Sequence, residues 1–181
     1  MYKLLVSALA LVALAQAGSA VAESHTVKFT NRCGHGTPML IQSGNVLSKG
    51  NTYTHNGPLS AAIALVRSRA LALDKGVVML TVVTCIRLGK CGFNGDGCLT
   101  VETTLKNPNC PGCGSSTDLT LIPPHKFNIK TGFRYINGCN GQGATCTGPR
   151  CGTKNAFFKT DDYTAQRQCE TNNVGLEIIF C

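Results

Sequence analysis

The sequence has no tryptophan and little charge: charged residues make up 14% of the chain, with 17 Lys and Arg against 9 Asp and Glu. Without Trp, and with four Tyr, it is short of the amphipathic rings from which sugar-binding platforms are usually built. At about half the usual ~25% charge, solvation falls to Asn, Thr, Ser and Gly. The net charge of +8 comes from scattered basic residues. No aromatic-interleaved basic cluster accompanies them, so no nucleic-acid partner is expected; attraction to anionic surfaces is the simpler reading. With 20 Gly and 7 Pro, the chain is no low-complexity or collagen-like sequence. It carries no N-x-[ST] sequon, so any glycosylation would be O-linked. The four His show no metal-ligand spacing, and no Ser-His-Asp set can be assembled. The glycine-rich stretch Gly138–Cys146 has no preceding βαβ context. No cofactor and no metal site are implied.

Two things are present in excess: a hydrophobic start and cysteine. Met1–Ala22 reads as a signal peptide, with Lys3 as the positive region, Leu4–Ala15 as the apolar run and Ala20-Val21-Ala22 as the cleavage site. The run of 12 apolar residues is shorter than the ~20 a bilayer span requires, and no later segment is long and apolar enough to span. The expected mature chain, Glu23–Cys181, is therefore secreted, extracellular or in the cell wall, with no membrane span.

That mature chain alternates with a period of two. Val27 and Phe29 oppose Thr26, Lys28 and Thr30. Leu99, Val101, Thr103 and Leu105 oppose Thr100, Glu102 and Thr104. Leu119 and Leu121 alternate with Asp118 and Thr120. Phe127 with Ile129, Phe133 with Tyr135, and Val174 to Phe180 repeat the pattern. Half-buried strands produce this alternation. Turn-forming clusters at Gly34–Pro38, Asn56–Pro58, Asn94–Gly97, Asn107–Gly114 and Asn137–Gly143 separate them. The expectation is one all-β domain, a disulfide-rich sandwich over 23–181.

One stretch departs from the pattern. Leu65–Arg87 has no Asn, one Gly and four basic residues, Arg67, Arg69, Lys75 and Arg87, against Asp74. Its first part suits a helix and Val77–Ile86 a buried strand. It reads as an atypical insertion, either a translated retained intron or a genuine surface insertion, which loops tolerate well.

Eleven cysteines point to a disulfide framework in an oxidising compartment. The odd number leaves one unpaired, and Cys85, inside the atypical stretch, is the natural candidate. The other ten are Cys33, Cys91, Cys98, Cys110, Cys113, Cys139, Cys146, Cys151, Cys169 and Cys181. Spacing alone does not settle their pairing. Cys110-Pro-Gly-Cys113 has the CxxC spacing of redox and zinc sites. A redox pair wants a following helix and a zinc site wants a second pair; a structural disulfide is the preferred reading.

Seven motifs run in order along Ser24–Cys181: HTVKFTNRC (25–33), NGP (56–58), CGFNGDGC (91–98), TVETTL (100–105), CPGCGSSTDLTL (110–121), PPHKFN (123–128) and VGLEIIFC (174–181). Together they resemble the thaumatin-like (osmotin-like) proteins, in particular their small fungal secreted branch, often labelled glycopeptide. The resemblance implies a thaumatin-like β-sandwich with Cys33–Cys181, Cys91–Cys98 and Cys110–Cys113 joined, and pairs Cys139 with Cys169 and Cys146 with Cys151. Its implied role is binding of cell-wall β-1,3-glucan or another wall polysaccharide by a monomer of antimicrobial or defence type. The alternatives are a weak endo-β-1,3-glucanase and a structural extracellular protein without a sugar site. Glu102 and Asp118 match cleft carboxylates of that family and are the candidates for substrate binding and for catalysis. Asp96 and Tyr53 are further binding candidates. The chain departs from the family at Pro124-His125-Lys126, where an Asp is expected, and at Pro58–Ala61, where the cleft Arg is missing.

Overall fold

The computed structural model describes residues 22–67 and 91–181. Met1–Val21 of the expected signal peptide, Cys85 and most of the atypical stretch lie outside the described residues. The strands in chain order are β1 (Ser24–Asn31), β2 (Thr37–Gln42), β3 (Asn45–Ser48), β4 (Tyr53–Asn56), β5 (Leu59–Arg67), β6 (Thr100–Leu105), β7 (Ser115–Thr120), β8 (Thr131–Ile136), β9 (Gly143–Cys146), β10 (Arg167–Cys169) and β11 (Gly175–Phe180). They form two sheets. One has five strands in the order β4-β1-β11-β8-β9, and the other has six in the order β10-β7-β6-β5-β2-β3. Neighbours are antiparallel except β1 and β11, which run parallel with Val27 opposite Leu176 and Phe29 opposite Ile178. Among the described residues no helix is long and apolar enough to cross a membrane.

Alternation sets which side chains meet between the sheets. Val27 of β1, Val101 and Leu105 of β6, Leu119 of β7, Phe133 and Tyr135 of β8, and Leu176, Ile178 and Phe180 of β11 are all buried in one cluster. Each large apolar side chain so buried stabilises by roughly 1.5–3 kcal/mol. The inward polar residues of β6 and β7 satisfy one another: the Thr103 and Thr117 hydroxyls lie 2.6 Å apart. The Tyr135 hydroxyl reaches Thr117 Oγ1 (3.1 Å) and donates to the Arg167 carbonyl (2.8 Å). Burial, with the Asp118 charge adding to it, pushes the Tyr135 phenol up to about 12.

Five disulfides close the loops: Cys33–Cys181, Cys91–Cys98, Cys110–Cys113, Cys139–Cys169 and Cys146–Cys151. The first joins residues 148 apart, just beyond the ends of the paired β1 and β11. Closing so long a loop restricts the unfolded chain by about 5 kcal/mol on the chain-entropy account.

Three expectations are corrected. Leu65–Arg67 do not belong to the atypical stretch, nor to a helix: they end β5, where Leu65 pairs with Met39 and Arg67 with Thr37. Pro38 is not in a turn but in β2, opposite Val66. The first β2 partner in β3 begins only at Leu40, so the missing N–H of Pro38 falls where no ladder is needed on that side. Phe127 and Ile129 do not form a strand; they lie in the connection between β7 and β8 and pack on the core cluster. There the backbone is held by a side chain, with Asn128 Oδ1 accepting from Leu99 N–H at 3.0 Å.

Candidate functional site

On the outer face of the six-stranded sheet, four residues stand in one cross-strand row. Ile41 of β2 pairs with Ile63 of β5, Ile63 with Glu102 of β6, and Glu102 with Asp118 of β7. Each sits one residue away from inward-facing core positions, so the pleat turns all four outward. Half of the row is apolar and half acidic. At a strand spacing of ~4.8 Å the row spans about 14 Å.

The acidic half lines a depression of ≈ 370 Å³ with Ala61, Ile63, Thr104 and Ser116 on its wall. No Lys or Arg is among its lining residues. Glu102 is exposed, while Asp118 is half-buried. Asp118 Oδ1 is buried and has no hydrogen-bond partner among the described residues. Burial, reinforced by the charge of Glu102 directly opposite, pushes the Asp118 carboxyl from its ordinary 3.8 up to about 7. Near neutral pH the Asp118 carboxyl is therefore partly protonated. The Glu102–Asp118 pair can accept and donate hydrogen bonds to neighbouring hydroxyls of one ligand.

Ala61 shapes the wall of this depression. The β5–β6 register shifts between Leu59 and Ala62, and Ala61 adopts φ 49°, a left-handed conformation uncommon for a non-glycine residue. Its N–H donates to Thr104 Oγ1 at 3.1 Å, which pins the bulge to β6.

Beside it lies a second depression of ≈ 390 Å³, lined by Ile41, Ser43, Gly44, Ala61, Ile63, Phe93 and Asn94. Ala61 and Ile63 line both, so the two meet over β5. Phe93 and Asn94 come from the Cys91–Cys98 loop, which folds over this face of the sheet. Cys91 and Cys98 are buried with Met39, Ile41 and Leu65 in a second apolar cluster. His125 Nδ1 donates to the Gly95 carbonyl (3.0 Å) and lies 3.2 Å from Thr100 Oγ1, tying the loop to the start of β6.

The structure thus brings Glu102 and Asp118 together and leaves the other two candidates elsewhere. Asp96 is in the Cys91–Cys98 loop but lines neither depression; its carbonyl accepts from Gly92 N–H at 3.0 Å. Tyr53 is on β4, at the edge of the other sheet, packed on the core with its hydroxyl 3.2 Å from His55 Nδ1. Sequence reasoning passed over Phe93, Ala61, Thr104 and Ser116. The available signal for Phe93 was an aromatic residue inside a short cysteine-closed turn.

The Cys110–Cys113 pair is a disulfide. Among the described residues no group of three His, Cys, Asp or Glu is placed to hold a metal ion. The chain matches no known protein-family profile, and no curated protein matches it.

Proposed function

We propose that this is a secreted thaumatin-like protein that binds cell-wall β-1,3-glucan through the Glu102–Asp118 depression. The observation that carries the reading is the direct opposition of Glu102 and Asp118 on one outward sheet face, lining a single depression. Sugar hydroxyls suit such a pair, because each can donate to a carboxylate oxygen or accept from a protonated one. The ordered motifs along Ser24–Cys181 and the two-sheet, five-disulfide architecture support the thaumatin-like assignment. The disulfides also suit an extracellular setting. The test is co-sedimentation with insoluble β-1,3-glucan. Wild-type protein is expected to be retained, and Glu102→Ala and Asp118→Ala to be released. Absence of retention, or retention unchanged in both variants, overturns the reading.

A second reading, a weak endo-β-1,3-glucanase, is favoured by the Asp118 carboxyl alone. Glycoside hydrolysis uses a protonated and an ionised carboxyl flanking the scissile bond, and burial keeps Asp118 protonated to unusually high pH. This reading requires reducing-sugar release from laminarin that Asp118→Asn abolishes; the binding reading requires none.

A further inference from the structure

We propose that Phe93 is the aromatic platform of a second sugar subsite, which continues the carboxylate depression across β5 and takes the neighbouring ring of a β-linked glucan chain. The inference rests on the glucan-binding reading and adds to it a second subsite and a chain-length preference.

Phe93 is one of two large hydrophobic residues exposed among the described residues, at 48%. It is neither solvated at random nor loosely held. The Cys91–Cys98 bridge closes its loop, and the His125–Gly95 bond anchors that loop to the sheet. The Arg67 guanidinium lies over one face of the ring, 4.5 Å from its centroid, a cation–π contact that holds the ring and leaves a ligand only the opposite face. A platform ordered before binding loses little freedom when a ligand arrives. Ile41 and Ile63 line the same depression as the ring and supply apolar wall, and Asn94 adds an amide to it. Apolar walls with a few convergent polar groups are the usual make-up of a small-ligand site.

The direction of the groove selects the ligand. The apolar half and the acidic half share Ala61 and Ile63 and lie along one cross-strand row. A ligand that fills both must offer an apolar face at one end and hydroxyls at the other, repeated along an extended chain. β-Linked pyranosides do this: the C–H face of one ring stacks on an aromatic face while the hydroxyls of the next meet carboxylates. A free monosaccharide fills one half only, so affinity should rise with chain length.

The experiment is calorimetric titration with glucose and laminarihexaose. Phe93→Ala tests the platform. Phe93→Leu keeps the apolar volume and removes the ring, and Phe93→Trp restores a ring; thermal unfolding establishes that each variant is folded. Expected results are about five- to tenfold weaker hexaose binding in Phe93→Ala and Phe93→Leu. The gain from glucose to hexaose should also disappear in both, and Phe93→Trp should bind at least as well as wild type. Hexaose binding within about twofold of wild type in folded Phe93→Leu, alongside loss in Glu102→Ala, overturns the subsite and leaves the carboxylate site standing. No binding of either sugar by the wild-type protein overturns both.

Discussion

Asp118 is the residue at which location matters most. The carboxyl is half-buried, one oxygen has no partner among the described residues, and Glu102 stands opposite. Its carboxyl is raised on folding, so the folded chain binds this proton more tightly than the unfolded one. The stability it contributes is complete below pH ~4 and is lost as pH rises through about 7. Asp118→Asn is therefore expected to be more stable than wild type at pH 8, by about 1–3 kcal/mol, and about equal at pH 4. Urea unfolding at the two pH values checks this; equal stability of the two proteins at pH 8 contradicts it. Glu23 and Glu177 act in the opposite sense. The hydrogen bond from His25 holds the Glu23 carboxyl below its ordinary range, and the Thr30 hydroxyl, aided by Arg134, does so for Glu177. Their contributions are lost as pH falls through those lowered values. The outward parity of Glu102 and Asp118 was legible in the sequence, since both alternate with core residues. Their direct opposition was not, because register between β6 and β7 is set by the intervening loop and by packing rather than by either strand alone.

Among the elements, the Cys91–Cys98 loop does the most to build the candidate groove, and Gly95 holds its shape. Gly95 has φ +89° and lies so close to His125 and Thr100 that an added Cβ has no room. Gly95→Ala is expected to lower stability by about 1–3 kcal/mol and to weaken glucan retention through displacement of Phe93. Thermal unfolding with co-sedimentation measures both, and wild-type stability in the variant contradicts the packing argument. Turn chemistry was readable here, since Asn94–Gly97 does form turns in the loop. Elsewhere local signals misled. Pro38 reads as punctuation, yet it is tolerated in β2 because its neighbour β3 is too short to require its N–H. Phe127 and Ile129 alternate as strand residues do, but the same two-residue period serves a segment that lays both side chains on the core without a ladder partner. The short strands β3, β4, β9 and β10 have only three or four residues each, too few for a period of two to mark them, and only their neighbours give them ladder partners.

For the whole molecule, the described parts close on themselves. The chain leaves β5 at Arg67 and is described again at Cys91, whose Sγ lies 3.0 Å from the Val66 carbonyl oxygen. The described residues on either side of 68–90, Val66 and Cys91, are therefore neighbours. Replacing residues 68–90 with a three-residue Gly-Asn-Gly turn should leave the sheets and the five disulfides intact. The shorter loop should raise stability by up to about 2 kcal/mol. Near-UV circular dichroism and thermal unfolding of the shortened protein test this, and failure to fold contradicts it. The replacement also removes Cys85, which lies outside the described residues, so the shortened protein should have no thiol reactive toward Ellman's reagent. Sequencing of spliced transcripts separates the two origins of the stretch: its codons are missing from mature transcripts if it is a retained intron and present in all if it is an insertion.

By itself the sequence determined that the chain is all-β and cysteine-rich, and which way most strand residues face. Those properties depend on local alternation and composition, which any short window displays. The tertiary structure alone decided that Ile41, Ile63, Glu102 and Asp118 form one row, that Phe93 stands beside it, and that Tyr53 and Asp96 do not. Those relations join strands far apart in the chain, and strand order and register arise from long-range pairing and core packing. No local pattern encodes them.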